Sequence, residues 1–154
     1  MIKYLFFLSA FAIASLGFAQ QTTPEQDKKD VQAVIEKLFK GMYDADTAMV
    51  RETFHPTARL QSVFLHRTKK TPALHTEKDI NGFIKSIGEP HAEPYNEQIE
   101  SYELRIDEHL ATVWTPYKFY VGKTYSHSGV NAFHLVRDEA GKWKITQITD
   151  TRRK

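Results

Sequence analysis

Between Leu110 and Arg137 the chain reads LATVWTPYKFYVGKTYSHSGVNAFHLVR, and this stretch limits the possible folds more than any other. β-Branched and aromatic residues fill both halves, with Gly122-Lys123 between them as a two-residue turn that has Gly first. The pattern predicts one long β-hairpin. Taking Gly122 and Lys123 as the whole loop fixes a register. Trp114 then faces Asn131, Thr112 faces Phe133, Lys118 faces His127 and Tyr120 faces Tyr125, all on one side of the ribbon. The other side carries Ala111, Val113, Thr115, Tyr117 and Phe119 against His134, Ala132, Val130, Ser128 and Ser126. Aromatic rings beside a few hydrogen-bonding groups are what a ligand pocket requires, although an ordinary packed sheet uses the same residues.

The first residues stand apart from this pattern. MIKY supplies a single lysine, LFFLSAFAIASL is an uninterrupted apolar run, and Gly17-Phe18-Ala19 places small residues where a signal peptidase inspects them. The run is shorter than the ~20 residues a membrane span needs, so no stable membrane anchor is expected. Residues 1–19 are read as a signal peptide cleaved near Ala19 and residues 20–154 as one domain, exported to a periplasm or secreted. The chain has no cysteine, so its core alone must hold it, and no lipid can attach at a new N-terminal Cys. A formal net charge of +2 argues for neither a nucleic-acid nor an acidic-membrane partner.

Thr23-Pro24-Glu25-Gln26 has the form of a helix start, with Thr as N-cap, Pro at the first helical position and Gln closing a capping box. Val31, Val34, Ile35, Leu38, Phe39 and Met42 then recur at helical spacing, and Tyr43 extends their face. A shorter helix begins at Asp46, turns Met49, Val50 and Phe54 inward, and ends at His55-Pro56. Residues 58–67 are strand-like and residues 68–72 form a polar loop. A third helix is expected from Thr76, with Ile80, Phe83, Ile84 and Ile87 as its stripe and Gly88 as its stop. Pro90 and Pro94 mark a loop from Glu89 to Asn96. Beyond it come one strand over Ile99–Ile106, the hairpin, and a last strand from Lys142 to Thr151. In that last strand the spacing of Trp143, Ile145 and Ile148 breaks period two and predicts a bulge. Helices followed by a meander make an α+β fold, a curved antiparallel sheet packed against three N-terminal helices.

Three pieces of sequence carry a resemblance. They are Phe54-His55-Pro56-Thr57-Ala58; Trp114-Thr115-Pro116-Tyr117 through Ser126–Phe133; and Gly141–Ile145 through Asp150-Thr151-Arg152. With the helix order, they resemble the nuclear transport factor 2-like superfamily, and within it the bacterial group described as putative lumazine-binding, close to the SnoaL-like proteins. The resemblance implies a cone-shaped fold whose sheet curls around an apolar pocket closed by the helices. It also implies a homodimer formed through the outer face of the sheet. Isomerases, hydrolases, dehydratases and silent binding domains share the fold, so it does not settle function. Some relatives carry a cysteine where this chain has Ser128.

Candidate site residues follow from both lines. Trp114, Asn131, Phe133, Tyr43, Phe54 and Tyr117 are the expected ligand-binding set, with Asn131 favoured because a buried amide needs a partner. His127, His55 and Asp150 are the candidates for a catalytic base. For each, a bland role competes: His127 exposed beside Lys118, His55 bonded to a helix-end carbonyl, Asp150 in a surface pair with Arg152. Tyr117 and Phe119 lie on the side opposite Trp114, so both sets line one cavity only if the hairpin bulges, and Pro116 offers a place for that. The seven histidines show neither H-x-H nor H-x-x-x-H spacing, so no metal is expected, and no cofactor motif is present. These features predict an exported, homodimeric binding domain for a small apolar or heteroaromatic ligand. A cofactor-free isomerase, dehydratase or hydrolase, or a purely structural dimer, are the alternatives.

Overall fold

The computed structural model describes residues 23–154, so the expected signal segment lies outside the described residues. Three helices and seven strands follow one another as α1 (Pro24–Tyr43), α2 (Thr47–Thr53), β1 (Phe54–Leu65), β2 (Pro72–Thr76), α3 (Ile80–Gly88), β3 (Tyr95–Ile99), β4 (Glu103–Asp107), β5 (Leu110–Val121), β6 (Thr124–Arg137) and β7 (Trp143–Arg153). Each helix starts on a side chain that accepts from an otherwise orphaned N–H. Thr23 caps α1 through Gln26 N, Asp46 caps α2 through Met49 N, and Asp79 caps α3 through Asn81 N and Gly82 N. The Gln26 amide, expected to close a capping box at α1, donates to Asp30 Oδ1. Val31, Ile35, Leu38 and Met42 give α1 a buried stripe, and Ile80, Ile84 and Ile87 do the same for α3. Gly41 lets α2 close on α1, since a Cβ there would lie 2.9 Å from the Val50 side chain.

The sheet runs β2-β1-β7-β6-β5-β3, with β4 also paired to β5, and it is curved and unclosed. Neighbours are antiparallel except β1 and β7, which are parallel, so the sheet is mixed where an all-antiparallel one was expected. The parallel pair arises because β1 precedes the meander and joins its far edge after α3 and four further strands. β2 was missed and the start of α3 was placed too early, at Thr76 instead of after Asp79. Leu74 shows why: it is 60% exposed, so this edge strand pairs without burying the side chains that would mark it. The strand expected over Ile99–Ile106 is two strands. Tyr95–Ile99 and Glu103–Asp107 pair with successive parts of β5, and the break falls beside Pro116, which has no N–H for the ladder. Glu100 N donates to the Pro116 carbonyl across that gap at 2.9 Å.

The hairpin itself corrects the expected register. Val121 pairs with Thr124 and Tyr120 with Tyr125, as a two-residue turn requires, and Gly122 takes the left-handed conformation at φ 59°. Ser126 is then an extra residue, a bulge between the Tyr120 and Phe119 pairs. Beyond it Phe119 faces His127, Thr115 faces Asn131, Trp114 faces Ala132 and Val113 faces Phe133. One inserted residue therefore moves His127, Asn131 and Phe133 to the side of Val113, Thr115 and Tyr117, and separates them from Trp114. Pro116 stays in regular pairing with Val130. The bulge expected in the last strand is present at Thr146, between the Gln147 and Ile145 pairs. The helices cover the face bearing Val113, Phe133, Leu135 and Ile145, where the core lies.

Candidate functional site

A cavity of about 1220 Å³ lies between the helix-covered face of the sheet and the helices α1 and α3. Leu38, Phe39 and Met42 of α1 and Phe83 and Ile87 of α3 supply one apolar wall. Phe133, fully buried at the centre of β6, meets Phe39 edge-on with ring centroids 6.2 Å apart. Along the sheet side the rings follow one another. Tyr95 lies 5.7 Å from Phe119, Phe119 lies 5.0 Å from His127, and His127 meets Tyr117 edge-on at 5.7 Å.

Against these rings stands a polar row that the sheet register assembles. Thr115 of β5, Asn131 of β6, Asp150 of β7 and Ser62 of β1 are successive cross-strand partners. Asp150 is buried and accepts from three donors: Ser62 Oγ, Arg152 Nε at 2.9 Å and the Tyr117 hydroxyl at 3.2 Å. The same hydroxyl lies 3.0 Å from the Thr151 carbonyl oxygen. The donors around Asp150 thus complement a negative charge. Thr115 Oγ1 is buried with no hydrogen-bond partner.

Glu97 completes the cluster from β3. Its Oε1 accepts from Asn131 Nδ2 at 2.7 Å. The carboxyl opens onto the cavity rather than onto bulk solvent, and burial pushes its pKa up to about 7, with the Asp150 carboxylate adding to the rise and the Asn131 hydrogen bond opposing it. Tyr117 is pushed well above the usual phenol range, first by burial and then by Asp150, so it remains a donor. His127 is held below the usual imidazole value by burial and by the Arg152 guanidinium, which favours its neutral form. Among the described residues no group of three or more His, Cys, Asp or Glu side chains could hold a metal ion.

Of the residues expected at a site, Asn131, Phe133, Tyr117, His127 and Asp150 line this cavity together. The others do not. Trp114 is 49% exposed on the outer face of the sheet, because the Ser126 bulge puts it across from Ala132. Tyr43 is exposed at the end of α1, and Phe54 is buried behind the wall, edge-on to Phe83 at 6.2 Å. His55 bonds Thr57 Oγ1 at 2.8 Å, two residues along its own strand, and is not part of the cavity wall. Asp150 and Arg152 pair at the cavity wall, with Asp150 buried and the Arg152 side chain 54% exposed. No hydrogen bond joins any two of His127, His55 and Asp150: His127 contacts Ser126 Oγ at 3.1 Å, while Asp150 is held as above. Glu97 and Ser62 escaped the sequence reading. A signal for Glu97 was present in Tyr95-x-Glu97-x-Ile99, a carboxylate on the apolar side of a short alternation, but Pro90 and Pro94 made the residues up to Asn96 read as loop and cut Tyr95 off from that strand.

Comparison with known proteins bears on the fold and the family. The family model described as putative lumazine-binding matches residues 26–148. No curated protein matches the sequence. The chain is similar in structure to a nuclear transport factor 2-like protein of unknown function from Shewanella baltica, with 19% identity, 87% of this chain and 99% of that chain covered, and a TM-score of 0.63. It is also similar to a putative ketosteroid isomerase from Shewanella frigidimarina (12% identity, 79% and 94% covered, TM-score 0.59). A third likeness is to a putative scytalone dehydratase from Novosphingobium aromaticivorans (9% identity, 84% and 86% covered, TM-score 0.65). At these identities the likeness concerns the fold, which is nuclear transport factor 2-like.

Proposed function

The chain belongs to the family described as putative lumazine-binding, and from that premise we propose that its cavity binds a small apolar or heteroaromatic molecule. One observation carries the reading: the Tyr95–Phe119–His127 rings stand beside the Glu97–Asn131–Asp150 cluster in one cavity. Flat rings stack on the aromatic wall, and the buried carboxyl and amide hydrogen-bond a polar edge, which fixes the orientation of the ligand. A titration with lumazine and with naphthalene derivatives, followed by calorimetry and native mass spectrometry, tests it. Binding that Asn131→Leu weakens by about tenfold is expected, as for one buried hydrogen bond to a charged or strongly polar group. Failure of every flat bicyclic probe to bind would reject the reading.

A second reading is favoured by one specific feature, the unlike surroundings of two neighbouring carboxyls. Glu97 keeps its proton up to about pH 7, while Asp150 is surrounded by donors. Carboxyls with opposed environments are the arrangement of an acid–base pair, so the alternative function is a cofactor-free isomerase, dehydratase or hydrolase. Glu97 then moves the proton, a role none of His127, His55 or Asp150 is placed to share through a direct hydrogen bond. Turnover of a carbonyl or hydroxyl compound that disappears in Glu97→Gln decides for this reading; ligand binding without any turnover decides for the first.

Export and dimerisation belong to the same proposal. Export rests on the charged, apolar and small-residue order of residues 1–19, and N-terminal sequencing of the mature protein from its native host tests cleavage near Ala19. Among the described residues no helix is long and apolar enough to cross a membrane. Dimerisation through the outer sheet face is supported by Trp114, a large side chain at 49% exposure on the side the helices leave uncovered.

A further inference from the structure

The mouth of the cavity is rich in cations. Arg67 and Lys70 reach it from the turn between β1 and β2, and Arg152, Arg153 and Lys154 from the end of β7. All five are exposed. Arg152 is paired with Asp150, whereas among the described residues Arg67, Lys70, Arg153 and Lys154 make no ion pair with an Asp or Glu side chain. The acidic residues of the wall are fewer: Glu77, Glu97 and Asp150. Glu97 and Asp150 lie in the polar cluster, Glu97 with its pKa raised to about 7 and Asp150 already paired with Arg152, and Glu77 is turned to His75 at 3.2 Å. Two sequence-distant segments thus bring unpaired cations to one opening above an aromatic interior. The β1–β7 pairing is what joins them, since Phe64 lies beside Arg152 in the parallel register.

We propose that the ligand of this cavity is an amphipathic organic anion, whose flat apolar body enters among Phe119, His127 and Phe133 while its carboxylate, sulfonate or phosphate stays at the mouth between Arg67, Lys70 and Arg153. This rests on the binding reading above and narrows it to a ligand class. A solvated head group at the rim costs little desolvation and gains attraction from several cations at once, whereas a cation of the same size is repelled there. The interior selects flatness and apolarity, and the rim selects sign. Guanidinium groups are well suited to the latter because they meet an oxyanion with two parallel donors.

A matched pair of fluorescent probes tests the inference. 1-Anilinonaphthalene-8-sulfonate and N-phenyl-1-naphthylamine share one ring system and differ by the sulfonate. The anionic probe is expected to bind about tenfold more tightly at low salt, and the margin to shrink as salt is raised. In the triple variant Arg67→Gln, Lys70→Gln, Arg153→Gln the margin disappears while the neutral probe binds as before. Phe119→Ala, on the wall, weakens both probes. If the two bind equally to the unaltered protein, or if the preference survives the triple variant, the ligand class is wrong and the pocket reading stands. If neither probe binds, or if Phe119→Ala leaves both unchanged, the pocket reading itself falls.

Discussion

Asn131 Nδ2 donates to Glu97 Oε1 across 2.7 Å, tying the middle of β6 to β3, two places away in the sheet order. The bond passes over β5, which separates the two strands, and it sets a carboxyl at the wall of the cavity. The link fixes the Glu97 carboxyl within reach of the Asp150 charge, which adds to the rise in its pKa.

Glu97 makes the stability of the fold depend on pH. The native carboxyl releases its proton at about 7, the unfolded one near the ordinary 4.5. Between those values the native state binds more protons than the unfolded state, so the free energy of unfolding falls as pH rises through the window. The contribution is complete below the unfolded value and gone above the native one. Its size is roughly 1–3 kcal/mol, the lower end applying if water fills the cavity. Urea unfolding at about pH 5 and about pH 8 measures it: Glu97→Gln should gain on the unaltered protein at the higher pH. A constant difference between the two proteins at both pH values would remove Glu97 from this role.

Tyr117→Phe removes the hydroxyl that lies between Asp150 and the Thr151 carbonyl while leaving the ring against His127. The expected cost is about 1–2 kcal/mol, since a buried carboxylate loses one donor and keeps Ser62 and Arg152. Because Tyr117 is held in its protonated form, the loss should be the same at any pH from about 5 to 9. A loss that changes across this range would show that the hydroxyl exchanges its proton there and is not held as a donor.

The first two helices and their caps were legible because periodicity and capping are local properties of Thr23, Asp46, Val31 and Ile35. The bulge in β7 was legible too, since Trp143, Ile145 and Ile148 break the alternation where Thr146 is inserted. The bulge at Ser126 was not. Tyr125, Ser126 and His127 are all compatible with either face, so nothing in the residues distinguishes a plain ladder from a bulged one, and a one-residue slip reverses every assignment beyond it. A plain ladder sets Trp114 against Asn131, whereas the bulged one puts the two on opposite faces. Asp150, Asn131 and Tyr117 were each named, but their meeting with Ser62 and Glu97 depends on the β1–β7 and β3–β5 registers, which are long-range.

Gly129 and Gly141 should respond very differently to alanine. Gly129 pairs with Tyr117 on one side and Arg152 on the other, and a Cβ there would run into the Thr151 carbonyl and lie 2.7 Å from the Tyr117 ring. Backbone cannot move aside without opening the β6–β7 ladder, so Gly129→Ala is expected to cost about 3 kcal/mol or more. Gly141 has open space around it, and its φ of 73° is the sole obstacle, worth about 1–2 kcal/mol. Chemical denaturation of the two variants checks the order. Equal losses would mean that the strand yields and that Gly129 does not hold the polar row in register.

Trp114→Glu separates the proposed dimer from the cavity. Trp114 sits on the outer face between Glu103 and Ala132, and its ring contributes nothing to the core behind Val113 and Phe133. A glutamate there sets a second negative charge beside Glu103 and removes the largest apolar side chain from that face, so association of two such faces loses area and gains repulsion. Sedimentation velocity should show a dimer for the unaltered protein and a monomer for the variant. Binding of N-phenyl-1-naphthylamine, which reports on the opposite face of the sheet, should change less than about twofold, because no residue of the cavity wall has been touched. A monomer in both cases, or a dimer in both, would place any self-association elsewhere and leave Trp114 without a partner surface.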